Sequence, residues 1–214
     1  MTQTITIKRH FQETFIVKKS RFIADIWPIQ DERQAKTTIQ TNRQLHTDAS
    51  HVAFAYTIGL QREIQRMSDN GEPSGTAGKP ILDAILKNGL VNVLITVTRY
   101  FGGIKLGAGG LIRAYSQSAS QVVNRADLAF LTSFDIIQAV FDYAMIDQFN
   151  YFAKIHNIKV TNMMYASQIQ ADCYLLNSRS PELQQLLINS FAGKIDLKQT
   201  GKILLPISTK ENDQ

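Results

Sequence analysis

A single cysteine, Cys173, excludes an internal disulfide and any zinc site built from several thiolates. It stands beside Tyr174, Leu175 and Leu176, where a lone thiol serves as a small hydrophobe. Long apolar runs are missing as well. No stretch approaches the ~20 residues of a membrane-spanning helix, and Met1 to His10 lacks the apolar core of a signal peptide. A cytoplasmic protein without membrane contact is expected. The four histidines form no H-E-x-x-H or other paired spacing, Ser116 lies in no G-x-S-x-G, and neither common nucleotide-binding glycine signature is present. Neither a metal nor a cofactor is expected.

What the chain does have is clustered glycine. Nine of the twelve glycines fall between Ser68 and Ser116, concentrated in two loops, Gly71-Glu72-Pro73-Ser74-Gly75-Thr76-Ala77-Gly78-Lys79-Pro80 and Gly102-Gly103-Ile104-Lys105-Leu106-Gly107-Ala108-Gly109-Gly110. Glycine permits positive φ and close approach to the backbone, so such loops suit either tight turns or a ligand that meets main chain. Each loop precedes a helical pattern. Pro80 sits in the first turn of a helix through Ile81 to Leu86, and the second loop leads into a helix from about Gly110 to Ala126. Helix N-termini with unpaired N–H groups favour anions, and Lys79, Arg99, Lys105 and Arg113 are expected to add positive charge there.

The charge balance points the same way. Residues 1–130 carry 16 Lys/Arg against 10 Asp/Glu, whereas 131–214 carry 7 against 8, so the surplus of the chain is N-terminal. A basic surface near glycine loops suits RNA or another polyanion, although a modest surplus serves solubility equally.

Periodicity divides the chain in two. The first part reads as strands near Ile5, Glu13 to Lys18 and Phe22 to Trp27, a helix from about Asp31 to Leu45, strands His51 to Ile58 and Ile64 to Met67, and then helix, strand Val91 to Val97 and long helix. The second part reads as strand, helix, strand, strand, helix, strand between Phe134 and Pro206, a ferredoxin-like βαββαβ order. The fold class expected is α+β in two domains, 1–129 and 130–214, with a frayed tail at Lys210 to Gln214.

Candidate chemistry concentrates in the first part. Asp69, Glu72 and His51 are possible metal ligands or acid–base groups of a hydrolase or phosphate-handling enzyme, while Asp69-Asn70-Gly71 also reads as plain turn chemistry. Ser74 and Thr76 are hydroxyls that suit capping or turn bonds. Tyr100 is placed to stack a nucleobase, and Arg99 and Tyr115 are expected to be exposed. The ligand-binding set thus comprises Asp69, Glu72, Ser74, Thr76, Lys79, Arg99, Tyr100, Gly102, Gly103, Lys105, Gly109, Gly110, Arg113 and Tyr115.

The first loop and the run from Arg99 to Leu111 closely resemble the IMPACT/YigZ family, over about Ser20 to Ala126. The remainder is similar to the last domain of elongation factor G. The resemblance implies a first domain of the fold shared by a small-subunit ribosomal protein and the GHMP kinases, and a context of translation. Two departures stand out: Asn70 replaces a common second Asp, and Ala53 replaces a cysteine common after the strand histidine. The expected function is a translation regulator that binds RNA or the ribosome at the two loops, more a binding protein than an enzyme. The alternatives are an enzyme using the same loops and an adaptor whose C-terminal sheet binds a protein.

Overall fold

The computed structural model describes residues 4–208, so the tail from Lys210 lies outside the described residues. The chain is α+β and forms two compact units that divide between Leu131 and Thr132, with the segment from Pro206 grouped with the first. The expected boundary at 129/130 and this division both fall inside a single strand, β7 (Leu128–Phe141).

The first unit is built on an antiparallel sheet in the order β2 (Phe11–Val17), β3 (Ser20–Pro28), β6 (Val93–Tyr100), β4 (His51–Ile58), β5 (Ile64–Ser68). A short β1 (Ile5–Ile7) pairs with the start of β7. Central β6 shows why a strand buried on both faces loses the alternating pattern. Val93, Ile95 and Val97 pack with α2 (Gly78–Lys87) and α3 (Gly107–Arg125), whereas Leu94 packs with α1 (Glu32–Leu45). Helix α1 presents Ala35, Ile39 and Asn42 to the sheet, a spacing of four and three that places them on one side. Its start is well defined: Asp31 Oδ1 accepts from Gln34 N at 2.7 Å, and Gln34 Oε1 accepts from Gln30 N, one residue before the cap, at 2.8 Å.

The second unit has the strand order β10 (Ile195–Ser208), β7, β9 (Ile169–Leu176), β8 (Lys159–Tyr165), with α4 (Ile146–Ile155) and α5 (Ser180–Ser190) as its connections. That order is the ferredoxin-like one. Ile137, Ala139 and Phe141 alternate into a core with Phe149, Phe152, Leu183 and Leu187, as do Ala171, Cys173 and Leu175. Burial, with a smaller contribution from Asp172, pushes the Cys173 thiol up to about 12, as suits an unreactive core residue.

Because the Asp31 cap is confined to one helix end, Asp31→Ala is expected to lower stability by about 1 kcal/mol without changing the fold, as read by urea denaturation.

Candidate functional site

The β3–β6 and β4–β6 registers place Phe22, Arg99 and His51 side by side at one end of the first sheet. Arg99 continues the row of Val93, Ile95 and Val97, so it points toward α2 and α3. It is 6% exposed, and its Nη1 donates to Glu72 Oε1 at 2.7 Å. The hydroxyl of Tyr115, on α3 and fully buried, donates to the same oxygen at 2.9 Å. Burial and the Glu72 charge raise the Tyr115 hydroxyl far above its ordinary range, which keeps it a proton donor. The guanidinium lies 5.6 Å from the Phe22 ring centre and 5.5 Å from that of Phe101, and its Nε is buried without a hydrogen-bond partner.

Glu72 is delivered by a loop that Asp69 organises. Asp69 Oδ2 accepts from Gly75 N at 2.8 Å, and Oδ1 accepts from Ala77 N at 2.9 Å and Gly78 N at 2.8 Å. Desolvation opposes ionisation of Asp69, but the N–H groups of Gly75, Gly78 and Ala77 outweigh it and hold the carboxyl below the usual carboxylate range. The positive end of α2 therefore already holds an anion from within the chain. Gly78 is required by packing, since a Cβ there would lie 2.9 Å from Ser68 backbone.

Helix α3 differs. It begins at Gly107, three residues earlier than expected, and no side chain caps its N-terminus. Gly107 and Ala108 from this uncapped turn line a cavity of 420 Å³ together with Arg99, Lys105, His51 and Phe101. Pro73, Leu106 and Leu111 give it apolar walls. His51 Nδ1 donates to the Asn70 carbonyl at 3.0 Å. Arg99 is neutralised by Glu72, so Lys105 and the α3 N-terminus supply the net positive field.

The expected ligand set is thus divided. Glu72, Arg99 and Lys105 meet at the cavity, but the expectation that Arg99 and Tyr115 are exposed is overturned: both are buried because they share the Glu72 carboxylate. Asp69 is occupied by backbone N–H groups. Thr76 Oγ1 donates to the Pro73 carbonyl at 2.7 Å, and Ser74 is exposed on the same loop. Lys79 forms an ion pair with Asp83 one turn along α2. Tyr100 points to the opposite face of the sheet, where its hydroxyl meets His46 Nδ1 at 2.8 Å and Arg21 stacks on its ring. Arg113 lines a separate hollow with Phe15, Lys18 and Gly110. Gly109 and Gly110 belong to α3, and Gly103, with φ +81°, makes a turn. At Gly102 the chain passes so close to Lys19 that a Cβ would lie 2.0 Å from its carbonyl carbon, which makes glycine obligatory. Residues that sequence reasoning passed over are Leu106, Gly107, Ala108 and Leu111; an earlier α3 start was the signal that exposes them.

Among the described residues no group of three or more His, Cys, Asp or Glu is arranged to hold a metal. No helix there is long and apolar enough to cross a membrane.

A family model for the Impact N-terminal domain matches residues 18–123, the stretch that carries the cavity. The IMPACT family member YvyE of Bacillus subtilis is 33% identical over 194 residues, 91% of this chain and 89% of its own length. The chain belongs to the IMPACT family. YigZ of Escherichia coli is 39% identical over 111 residues, covering 51% of this chain and 54% of its own. A crystal structure of a hypothetical protein matches this IMPACT chain with a TM-score of 0.64 and 26% identity, over 93% of this chain and 98% of that one. The two-domain translational regulator Yih1 aligns with a TM-score of 0.33 and 23% identity over 59% of this chain and 48% of its own, a likeness too slight to argue from.

Two outcomes follow from this geometry. Arg99→Ala leaves the Glu72 carboxylate buried without its cation and is expected to cost about 3–5 kcal/mol in chemical denaturation. Asp69, with its lowered native pKa, stabilises fully above the ordinary carboxylate range and loses that contribution as pH falls through the lowered value. Thermal melts should therefore show Asp69→Asn less stable than the parent at neutral pH, with the gap closing on acidification.

Proposed function

We propose that this IMPACT family member is a cytoplasmic translation regulator that binds RNA, free or in the ribosome, by taking a phosphate group into the cavity at the start of α3. The observation that carries this reading is the uncapped α3 N-terminus opening on a cavity lined by Lys105 and by Arg99, whose Nε has no partner. Backbone N–H groups at a helix start bind phosphate oxygens, and Lys105 adds a mobile charge. Phe101, 49% exposed at the rim, offers a ring on which a base can stack. Among the expected cations, Arg99 and Lys105 line this cavity, whereas Lys79 and Arg113 do not, so contact with one phosphate suits the geometry better than a broad basic surface.

The enzymatic reading has less support. Asp69 is held by backbone N–H groups, and Glu72 Oε1 is shared by Arg99 and Tyr115, so the cavity sets His51 beside a carboxylate that is already paired. The adaptor reading rests on the second unit's sheet face away from its helices, where the pairs Phe134–Leu176 and Ile136–Tyr174 are apolar but Gln138–Asp172 and Val140–Gln170 bring polar groups beside them.

Fluorescence anisotropy with labelled single-stranded and double-stranded RNA tests the proposal. Affinity should fall steeply with salt, Lys105→Ala should weaken binding and lower the salt slope by about 1, and Lys79→Ala should leave both unchanged. Salt-insensitive binding, or binding indifferent to Lys105→Ala, would overturn it.

A further inference from the structure

On the opposite face of the same sheet, under α1, lies a second cavity of 360 Å³. Its floor holds Asp25, a carboxylate 1% exposed on β3. One oxygen, Oδ1, accepts from His10 Nε2 at 2.8 Å and from Gln12 Nε2 at 2.8 Å. The other, Oδ2, receives only the Asn42 amide at 3.5 Å, the outer limit of a hydrogen bond. Beside it in the sheet, Thr96 Oγ1 is buried with no partner at all. Among the described residues that line this cavity there is no Lys or Arg. A carboxylate removed from water is ordinarily matched by a cation or by several strong donors. Here one oxygen has such partners and the other does not.

We propose that this second cavity binds a small organic monocation, an alkylammonium or alkylguanidinium, with its charged head on Asp25 Oδ2. The head completes the coordination that Asn42 leaves weak, and charge-assisted bonds to a carboxylate are among the stronger ones available. The walls fit the rest of such a ligand: the Trp27 ring and Leu45 offer apolar surface, and Thr41 of α1 adds a hydroxyl. His10 stacks on Trp27 at 4.8 Å and 13°, which fixes the ring that holds Oδ1 and leaves Oδ2 to the ligand. The volume lies in the range of small-molecule sites. This site is independent of the anion reading above, since it uses other residues on the other face of the sheet and the opposite charge.

Trp27 is the only tryptophan in the chain, so its emission reports on this cavity alone. The full chain is titrated with butylammonium and butylguanidinium chloride, with butanol and sodium chloride as controls. A saturable change in Trp27 emission is expected with the two cations and not with the controls. Asp25→Asn, with an unchanged circular dichroism spectrum, should weaken the response by about tenfold or more, the loss of a charged partner. Should Asp25→Asn fail to fold, Thr41→Lys decides the matter, because its own ammonium is expected to occupy the cavity and abolish the response. A change that never saturates, that butanol reproduces, or that survives in Thr41→Lys or a folded Asp25→Asn overturns the proposal.

Discussion

Glu72 and Arg99 face each other nearly out of water, with Tyr115 donating to the same carboxylate oxygen. Such a pair is tolerable only while every member keeps its partner, because an isolated buried charge costs several kcal/mol. The three residues come from three separate places: the first glycine loop, the end of β6 and the third turn of α3. Their mutual need for satisfaction ties those places together and sets the shape of the cavity mouth. Phe22 and Phe101 reinforce the arrangement, since the guanidinium lies within about 6 Å of each ring centre.

The glycine loops take their meaning from this constraint. Gly78 and Gly102 are packing necessities, where the chain runs against Ser68 and Lys19 backbone. The first loop folds around the Asp69 carboxylate, which takes the N–H groups at the start of α2 for the chain itself. The second loop brings no acidic residue into the first turn of α3, and no side chain caps that helix. Two loops of similar composition therefore differ, one closed by its own carboxylate and one leading into a helix that no side chain caps.

A single sheet also carries two cavities of opposite electrostatic character. Odd-numbered residues of β6 lead to Arg99 under α2 and α3, while its even-numbered residues bring Thr98 to Asn42 and set Thr96 beside Asp25 under α1. The pleat alone separates them, since neighbouring side chains leave a strand on opposite faces.

Much was legible in the sequence alone. Apolar periodicity located the strands and helices of both units, the order of elements gave the ferredoxin-like second unit, and the scarcity of cysteine and long apolar runs excluded thiolate zinc sites and spanning helices. The two glycine-rich stretches carried the family resemblance because their local backbone demands are written in residue type. The tertiary structure alone decided what each polar group does. Arg99 and Tyr115 look like surface groups in sequence, yet long-range pairing buries them against Glu72, 27 and 43 positions away. Asp25 passes unnoticed in a strand until β2, α1 and β6 close around it. Local sequence sets backbone preference and the side of an element that is apolar, but a charge acquires its role from the partners that folding brings within hydrogen-bond distance.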